Sequence, residues 1–600
     1  MSSAASPPAF PLRQGLVCGG LAALVDAAID AHWLPSVFHG ALFNPDSYMR
    51  LARLDDILAA HAPVDVVARD GSGAGTVLYW SHLLDTLLLV LAAPAAPFLG
   101  EHEALRWAGV LLGPLSAGLL GMALAWAAAP LSEPAWRWTA ALSGALAIPV
   151  IAYSLPGVVH HHTLVALSGV MCAGWAGRSG FAEARTGRRL GAWSCFGLWL
   201  SPEVMPIVLM SLGAVGLGWL LHPDEPRWGS TLATAATTFA VLVGLTLAID
   251  PPHAGPIASE IDRLSITWLV LGLLGAAAGV SLWLIDRQAV SPIPRALIGG
   301  TIAVIAATIW LAMFPAALHG TEGVVRGADP HAFFDGIAEM LPVRSLPDAI
   351  IFLLPGTFGA LLAMTLAIQR RSLEFAYVAA CVLLLVLAAA THRRFAIYGA
   401  CAGAIGVPVA ITLISDRLKR CRPIGATAAG LALLLFLLVT PFAVLRLAAK
   451  ASEPGTDIAG ACSIQTVARE LRPFAGQIVL ADGNDTPELL YRTQLQTVGS
   501  LYHSNAGAYL RLRDAWRSQR LDRVPPEVTA TGASLVLFCR RAARSVVRDL
   551  PPDTLWDRLS HNDPPTWLHE LPLLPRSGFR LFRICYIRQC TLDCGADLAR

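Results

Sequence analysis

Residues 264–285 read LSITWLVLGLLGAAAGVSLWLI, twenty-two residues without a charge, bounded by Arg263 on one side and by Asp286 and Arg287 on the other. At a rise of about 1.5 Å per residue a helix of this length covers about 33 Å, enough to cross the hydrocarbon of a bilayer. Lipid offers no partner to a bare N–H or C=O, so such a run has to be helical. Working outward, apolar runs of the same kind lie at 14–34, 106–128, 138–155, 163–177, 190–200, 204–221, 230–249, 296–314, 348–368, 374–390, 395–415 and 424–448. The expectation is an α-helical polytopic membrane protein with about 13 transmembrane helices. The runs 190–200 and 204–221 also read as one kinked helix. The run 82–98 is broken by Pro94 and Pro97 and reads as interfacial or re-entrant.

Composition agrees. Of 600 residues 55% are hydrophobic and 14% charged, with a mean hydropathy of +0.57, which excludes an ordinary soluble chain. A net charge of +2 gives no footprint for nucleic acid. Lysine occurs only at Lys419 and Lys450, and with abundant Ala, Gly and Pro this points to a GC-rich bacterial genome.

Basic residues set the orientation. With the N-terminus inside, the inner loops hold fifteen: Arg13, Arg137, Arg178, Arg185, Arg188, Arg189, Arg227, Arg287, Arg295, Arg370, Arg371, Arg417, Lys419, Arg420 and Arg422. The longer outer loops hold eight: Arg50, Arg53, Arg69, Arg263, Arg326, Arg344, Arg393 and Arg394. A cytoplasmic N-terminus, an uncleaved first span and a periplasmic C-terminus across a bacterial inner membrane follow as expectations.

From 450 the chain becomes polar and rich in Arg and Pro. Short β-like runs at 477–480 and 534–538 alternate with helix-like segments at 485–492 and 506–519, so a membrane domain, 1–449, is expected to precede a soluble α/β domain, 450–600. Cys462, Cys539, Cys585, Cys590 and Cys594 lie there, and one or two disulfides suit an oxidising compartment.

Five polar groups fall in outer loops, mainly 35–105 and 315–347, or at outer helix ends. In Asn44-Pro45-Asp46-Ser47-Tyr48-Met49-Arg50, Asp46 can serve as general base or metal ligand, or simply favour the helix that Asn-Pro-Asp begins. His160, His161 and His162 can hold a transition metal or a phosphate. Adjacent side chains on a helix diverge, so at most two are expected to act together. Glu203, in Ser201-Pro202-Glu203, is an ionisable group inside an apolar stretch, functional or merely part of a kink. Glu339 lies in a long outer loop, and Arg393 and Arg394 stand on the side poor in arginine, to bind a phosphate or to anchor at lipid headgroups.

With these motifs in hand, the chain resembles the catalytic subunit of oligosaccharyltransferases and, more broadly, the GT-C class of membrane glycosyltransferases that use polyprenyl-linked donors. Asp46-Ser47-Tyr48 with Arg53 resembles the first acidic motif, Ile337-Ala338-Glu339 the loop motif ending in Glu, and Arg394-Phe395 with Tyr398 the phosphate-holding arginine motif. The resemblance implies a catalytic or metal-binding Asp46, a functional Glu339 and a donor-phosphate contact from Arg394. Reading the other polar residues beside it, donor-phosphate contacts are expected also from Arg393, His161 and His162, substrate positioning from Glu339, Glu203, Tyr48 and Arg50, and a divalent metal, if one is used, on Asp46, His160 and His161. Where the family has a second acidic motif this chain has three histidines, and hard cations prefer oxygen. No Trp-Trp-Asp sequence is present, Leu555-Trp556-Asp557 being a poor substitute, so the expected acceptor is a glycan or lipid hydroxyl and not a protein asparagine. The expected partners are a polyprenyl-linked sugar donor, that acceptor and membrane lipids. A polysaccharide polymerase or ligase, a flippase of lipid-linked glycans and a non-catalytic assembly protein are the alternatives.

Overall fold

A computed structural model describes residues 10–29, 31–180, 185–286, 291–325, 327–418, 423–451, 462–539, 551–573 and 578–586. Cys590 and Cys594 lie outside these residues. The chain divides into two compact units, one comprising Met1–Phe43, Trp80–Gly320 and Glu339–Ser452, the other Asn44–Tyr79, Thr321–Ala338 and Glu453–Arg600.

The first unit is a helical membrane bundle. Among the described residues nine helices are long and apolar enough to cross a bilayer, or ten if Leu346–Phe352 and Leu354–Arg370, bent by 64°, count as one span. Thirteen is not reached by length. Residues 138–155 form two short helices, Trp138–Ala145 and Ile148–Ile151, with Pro149 in the first turn of the second. His162–Arg178 and Thr186–Leu200 run only 17 and 15 residues. The run from 82 forms a helix of 11 residues, His82–Ala92, followed by the turn Ala96–Leu99, with Val90, Phe98 and Leu99 exposed. The helix Ile293–Met313 has no residue of its apolar window buried, an arrangement costly in water and neutral in lipid. At Gly113, in the helix Glu101–Ala128, a Cβ would stand 2.0 Å from the Ser154 carbonyl oxygen, so only glycine lets that helix close on the turn after 151.

The second unit is a mixed α/β fold. Among the described residues its short strands, in chain order, are β1 (Val66–Val67), β2 (Thr76–Val77), β3 (Ile478–Leu480), β4 (Gln496–Thr497), β5 (Leu535–Cys539), β6 (Leu568–Leu571) and β7 (Phe579–Ile584). β1 and β2 form a hairpin, and the others form one sheet in the order β4-β3-β5-β7-β6. β3 pairs in parallel with β4 and β5, whereas β5–β7 and β7–β6 are antiparallel. β5 is buried at all five positions, as a central strand covered on both faces must be. Helices Thr486–Arg492 and Ala506–Trp516 occupy the stretches read as helical from sequence. In the core Trp556 meets Trp516 and Phe538 edge to face, each at 5.1 Å, and Trp516 and Phe538 lie tilted to one another at 6.1 Å. Cys462 and Cys539 form a disulfide.

Two early segments belong to this unit. Asp70, fully buried between β1 and β2, accepts hydrogen bonds from Thr76 at 2.8 Å, from Thr497 at 2.8 Å and from Ser500. Arg69 donates at 2.6 Å to the carbonyls of Leu490 and Thr493, which the end of the helix Thr486–Arg492 leaves unsatisfied. Phe333 is buried with Ala506 and Tyr509.

Candidate functional site

Glu203, Glu339, Arg394 and the three histidines of the first unit sit where its helices are interrupted or begin. Ser201 is extended (φ −167°, ψ 136°), which ends the helix Thr186–Leu200, and a single 3-10 turn, Pro202–Val204, carries Glu203 before Met205–Leu221 begins. Pro202 cannot donate to a continuing helix, so the break is written in the sequence. Arg394 lies in a second such turn, Arg393–Phe395, after the extended His392. Glu339 lies in a third, Ala338–Met340. His160 and His161 precede the helix that His162 starts.

These breaks bring one cluster together. Arg394 forms an ion pair with Glu203, and its Nη1 lies 3.4 Å from Glu339 Oε1. Its Nη2 donates to His162 Nε2 at 3.0 Å, which requires that nitrogen to carry no proton. Glu203 Oε2 is 3.6 Å from the same nitrogen. Tyr153, on the turn that Gly113 admits, donates from its hydroxyl to Glu339 Oε2 at 2.6 Å and stacks on His162 with ring centroids 4.4 Å apart. One guanidinium thus serves two carboxylates, and with both ionised the three groups carry a net charge of −1.

The three histidines all converge here, more than helical geometry allowed, because two of them precede the helix. All three are buried, and one ligand nitrogen from each lies within 4.8 Å of the others. Three imidazoles suit zinc and its neighbours in the transition series and do not suit Mg²⁺.

Asp46, Tyr48 and Arg50 lie in the second unit, on the helix Pro45–Ala60. Asn44 caps that helix, its Oδ1 accepting from the Ser47 N–H at 2.9 Å, and Pro45 takes the first position. Tyr502 donates to Asp46 Oδ1 at 2.7 Å. Burial, and after it the Asp46 carboxylate, holds the Tyr502 phenol well above its ordinary range, so it stays a donor. Arg492 pairs with Glu488 at 2.6 Å and lies over the Tyr48 ring at 5.3 Å, while Arg50 is buried. Trp556, of the Leu555-Trp556-Asp557 sequence, is a core residue.

No family model matches the sequence, and no curated protein matches it. Solved structures do. The archaeal oligosaccharyltransferase AglB from Archaeoglobus fulgidus, in complex with an inhibitory peptide and a dolichol-phosphate, superposes with a TM-score of 0.68 over 87% of this chain and 69% of that one, at 15% identity. The chain has the oligosaccharyltransferase fold. The apo form of the Archaeoglobus fulgidus enzyme gives a TM-score of 0.61 at 13% identity, covering 88% of this chain and 69% of that one. The same enzyme tethered to an acceptor peptide containing the NVT sequon gives 0.61 at 12% identity, again over 88% and 69%.

Within this fold, sequence reading had picked out Glu203, Glu339, Arg394 and the histidines, all in the cluster. It passed over Tyr153. A tyrosine at the end of an apolar run reads as packing, and the only available signal was its neighbour Ser154 and the glycine and proline that follow at 156–157.

Proposed function

We propose that this chain is a membrane glycosyltransferase that moves a sugar or oligosaccharide from a polyprenyl-phosphate-type donor to an envelope glycan, lipid or other acceptor at the periplasmic face of a bacterial inner membrane. The observation that carries it is the cluster itself. Glu203, Glu339 and Arg394, with three imidazoles, form a mixed-charge site at interrupted helix ends in a membrane bundle of the oligosaccharyltransferase fold.

Transfer breaks the bond between the anomeric carbon and the donor phosphate oxygen and forms one to the acceptor hydroxyl oxygen, whose proton passes to a carboxylate base. Negative charge grows on the leaving phosphate. Arg394, held by Glu203, Glu339 and His162, would meet that charge with little reorganisation. Its two carboxylates also accept hydrogen bonds from sugar hydroxyls. His160, His161 and His162 would hold a divalent transition metal, which when bound supplies positive charge for the phosphate and offsets the net negative charge of the cluster. Asp46 is assigned by its motif to the acceptor side, where the Tyr502 hydroxyl donates to it at 2.7 Å.

The sidedness rests on the excess of basic residues in alternate loops. The Cys462–Cys539 disulfide of the second unit suits an oxidising compartment. Mass spectrometry of envelope glycans and lipids from a deletion strain tests the proposal. A sugar lost in the deletion should return with the wild-type gene and not with Arg394→Gln; full restoration by Arg394→Gln would overturn it. A flippase would instead leave the donor chemically intact.

A further inference from the structure

Two adjacent arginines face different partners. Arg394 points into the cluster, while Arg393 forms an ion pair with Asp348 at 2.7 Å and lies over the Phe352 ring at 5.5 Å. The Arg393 N–H donates to the Leu341 carbonyl at 3.2 Å, and the Val343 N–H donates to the Ala390 carbonyl at 2.9 Å. Arg394 Nη1 completes the series with Met340 Sδ at 3.5 Å and Glu339 at 3.4 Å. Residues 339–348 are therefore fastened along residues 390–394 at successive points, with Glu339 at one end and Asp348 at the other. Local chemistry fixes the far end as well: Ser345 Oγ accepts from the Asp348 N–H at 3.2 Å, capping Leu346–Phe352 and placing the Asp348 carboxylate in the first turn, where the helix dipole favours it.

We infer that Arg393 and Asp348 form a clasp that holds the segment bearing Glu339 against the turn bearing Arg394, so that Arg393 is a positioning residue acting through Glu339 and does not bind the donor phosphate. The inference rests on the reading of Glu339 as a group of the transfer site. Each partner has 23% of its side chain exposed, so the clasp can open without dismantling the core.

Arg344, exposed between the two fastened ends, supplies a readout independent of activity. In the purified full chain in lipid nanodiscs, trypsin should cut after Arg344 slowly in the wild type and about threefold or more faster in Arg393→Gln and in Asp348→Asn. The exchange of Arg393→Asp together with Asp348→Arg should bring cleavage back toward the wild-type rate. The same single variants should lower kcat for transfer with little change in donor KM, and the exchange should recover it. Unchanged cleavage in both single variants would overturn the clasp. So would a raised donor KM in Arg393→Gln alone, which would make Arg393 a phosphate ligand. If cleavage responds as expected but wild type and Arg394→Gln are equally inactive, the clasp stands and the glycosyltransferase reading fails.

Discussion

Glu203 and Arg394 stand 191 residues apart in the chain and form an ion pair in the membrane unit. Each lies in a one-turn 3-10 segment between two helices, so neither depends on a mobile loop for its position.

The first prediction concerns that arginine. Its guanidinium meets Glu203 and Glu339 at once, a bridging geometry that an ammonium does not reproduce. Arg394→Lys should lower kcat about tenfold and Arg394→Gln about a hundredfold or more. Transfer from a polyprenyl-phosphate-linked sugar in nanodiscs measures both; equal activity in the two variants would count against the bridging role.

Tyr153→Phe removes the donor to Glu339 Oε2 while keeping the ring stacked on His162. A lost hydrogen bond to a charged acceptor costs about 1.5–3 kcal/mol, so transfer should fall about tenfold or more while the membrane bundle stays folded. Wild-type activity in Tyr153→Phe would show that Glu339 is held by Arg394 alone.

The histidine triad predicts metal binding that can be read without turnover. Chain loaded with Co²⁺ should show visible absorption, and His160→Ala, His161→Ala and His162→Ala should each weaken Co²⁺ binding about tenfold or more. Loss in none of the three would reject the site. Addition of Mg²⁺ should not displace the cobalt.

In the second unit, Asp46→Asn should abolish transfer without unfolding the helix Pro45–Ala60, since Asn44 supplies the cap. Asn44→Ala should instead cost about 1 kcal/mol of stability. Comparing the unfolding midpoints of the two variants with their activities separates the roles.

Asp485 gives a pH dependence. Burial first, then the charges of Asp482 and Glu488, hold this half-buried carboxyl well above its ordinary range. The folded state then binds a proton that the unfolded state has released, so stability falls as pH rises from the ordinary carboxylate range toward the raised value. Asp485→Asn, at a position whose side chain makes no cap hydrogen bond, should raise the unfolding midpoint at about pH 7 and leave it nearly unchanged at about pH 4. A larger gain in acid than at neutrality would contradict this.

Hydropathy made the membrane helices legible, because a span must be apolar along its whole length. At 138–155 it does not register that the apolar run is divided, just before Pro149, into two short helices. Glu203 stood out because an acid in an apolar stretch is rare. Tyr153 did not, since its partner Glu339 is 186 residues away. The membership of 44–79 in the second unit was equally hidden. It is decided by contacts such as Asp70 with Thr497, and nothing local to either residue announces them. Trp556 followed the opposite course, a motif-like aromatic that proved to be core.

Those contacts also set a clock. Asp70 and Thr497 are 427 residues apart, and a ribosome adding about 5–20 residues per second needs roughly 20 to 90 seconds between them. During that interval the Asp70 hairpin has been synthesised but its partner strands have not, while most of the membrane helices are being inserted. The second unit is therefore completed only late in synthesis, from an early piece kept waiting and a late piece that joins it, and a stop codon anywhere before 497 strands the first loop without the residues that bury its aspartate.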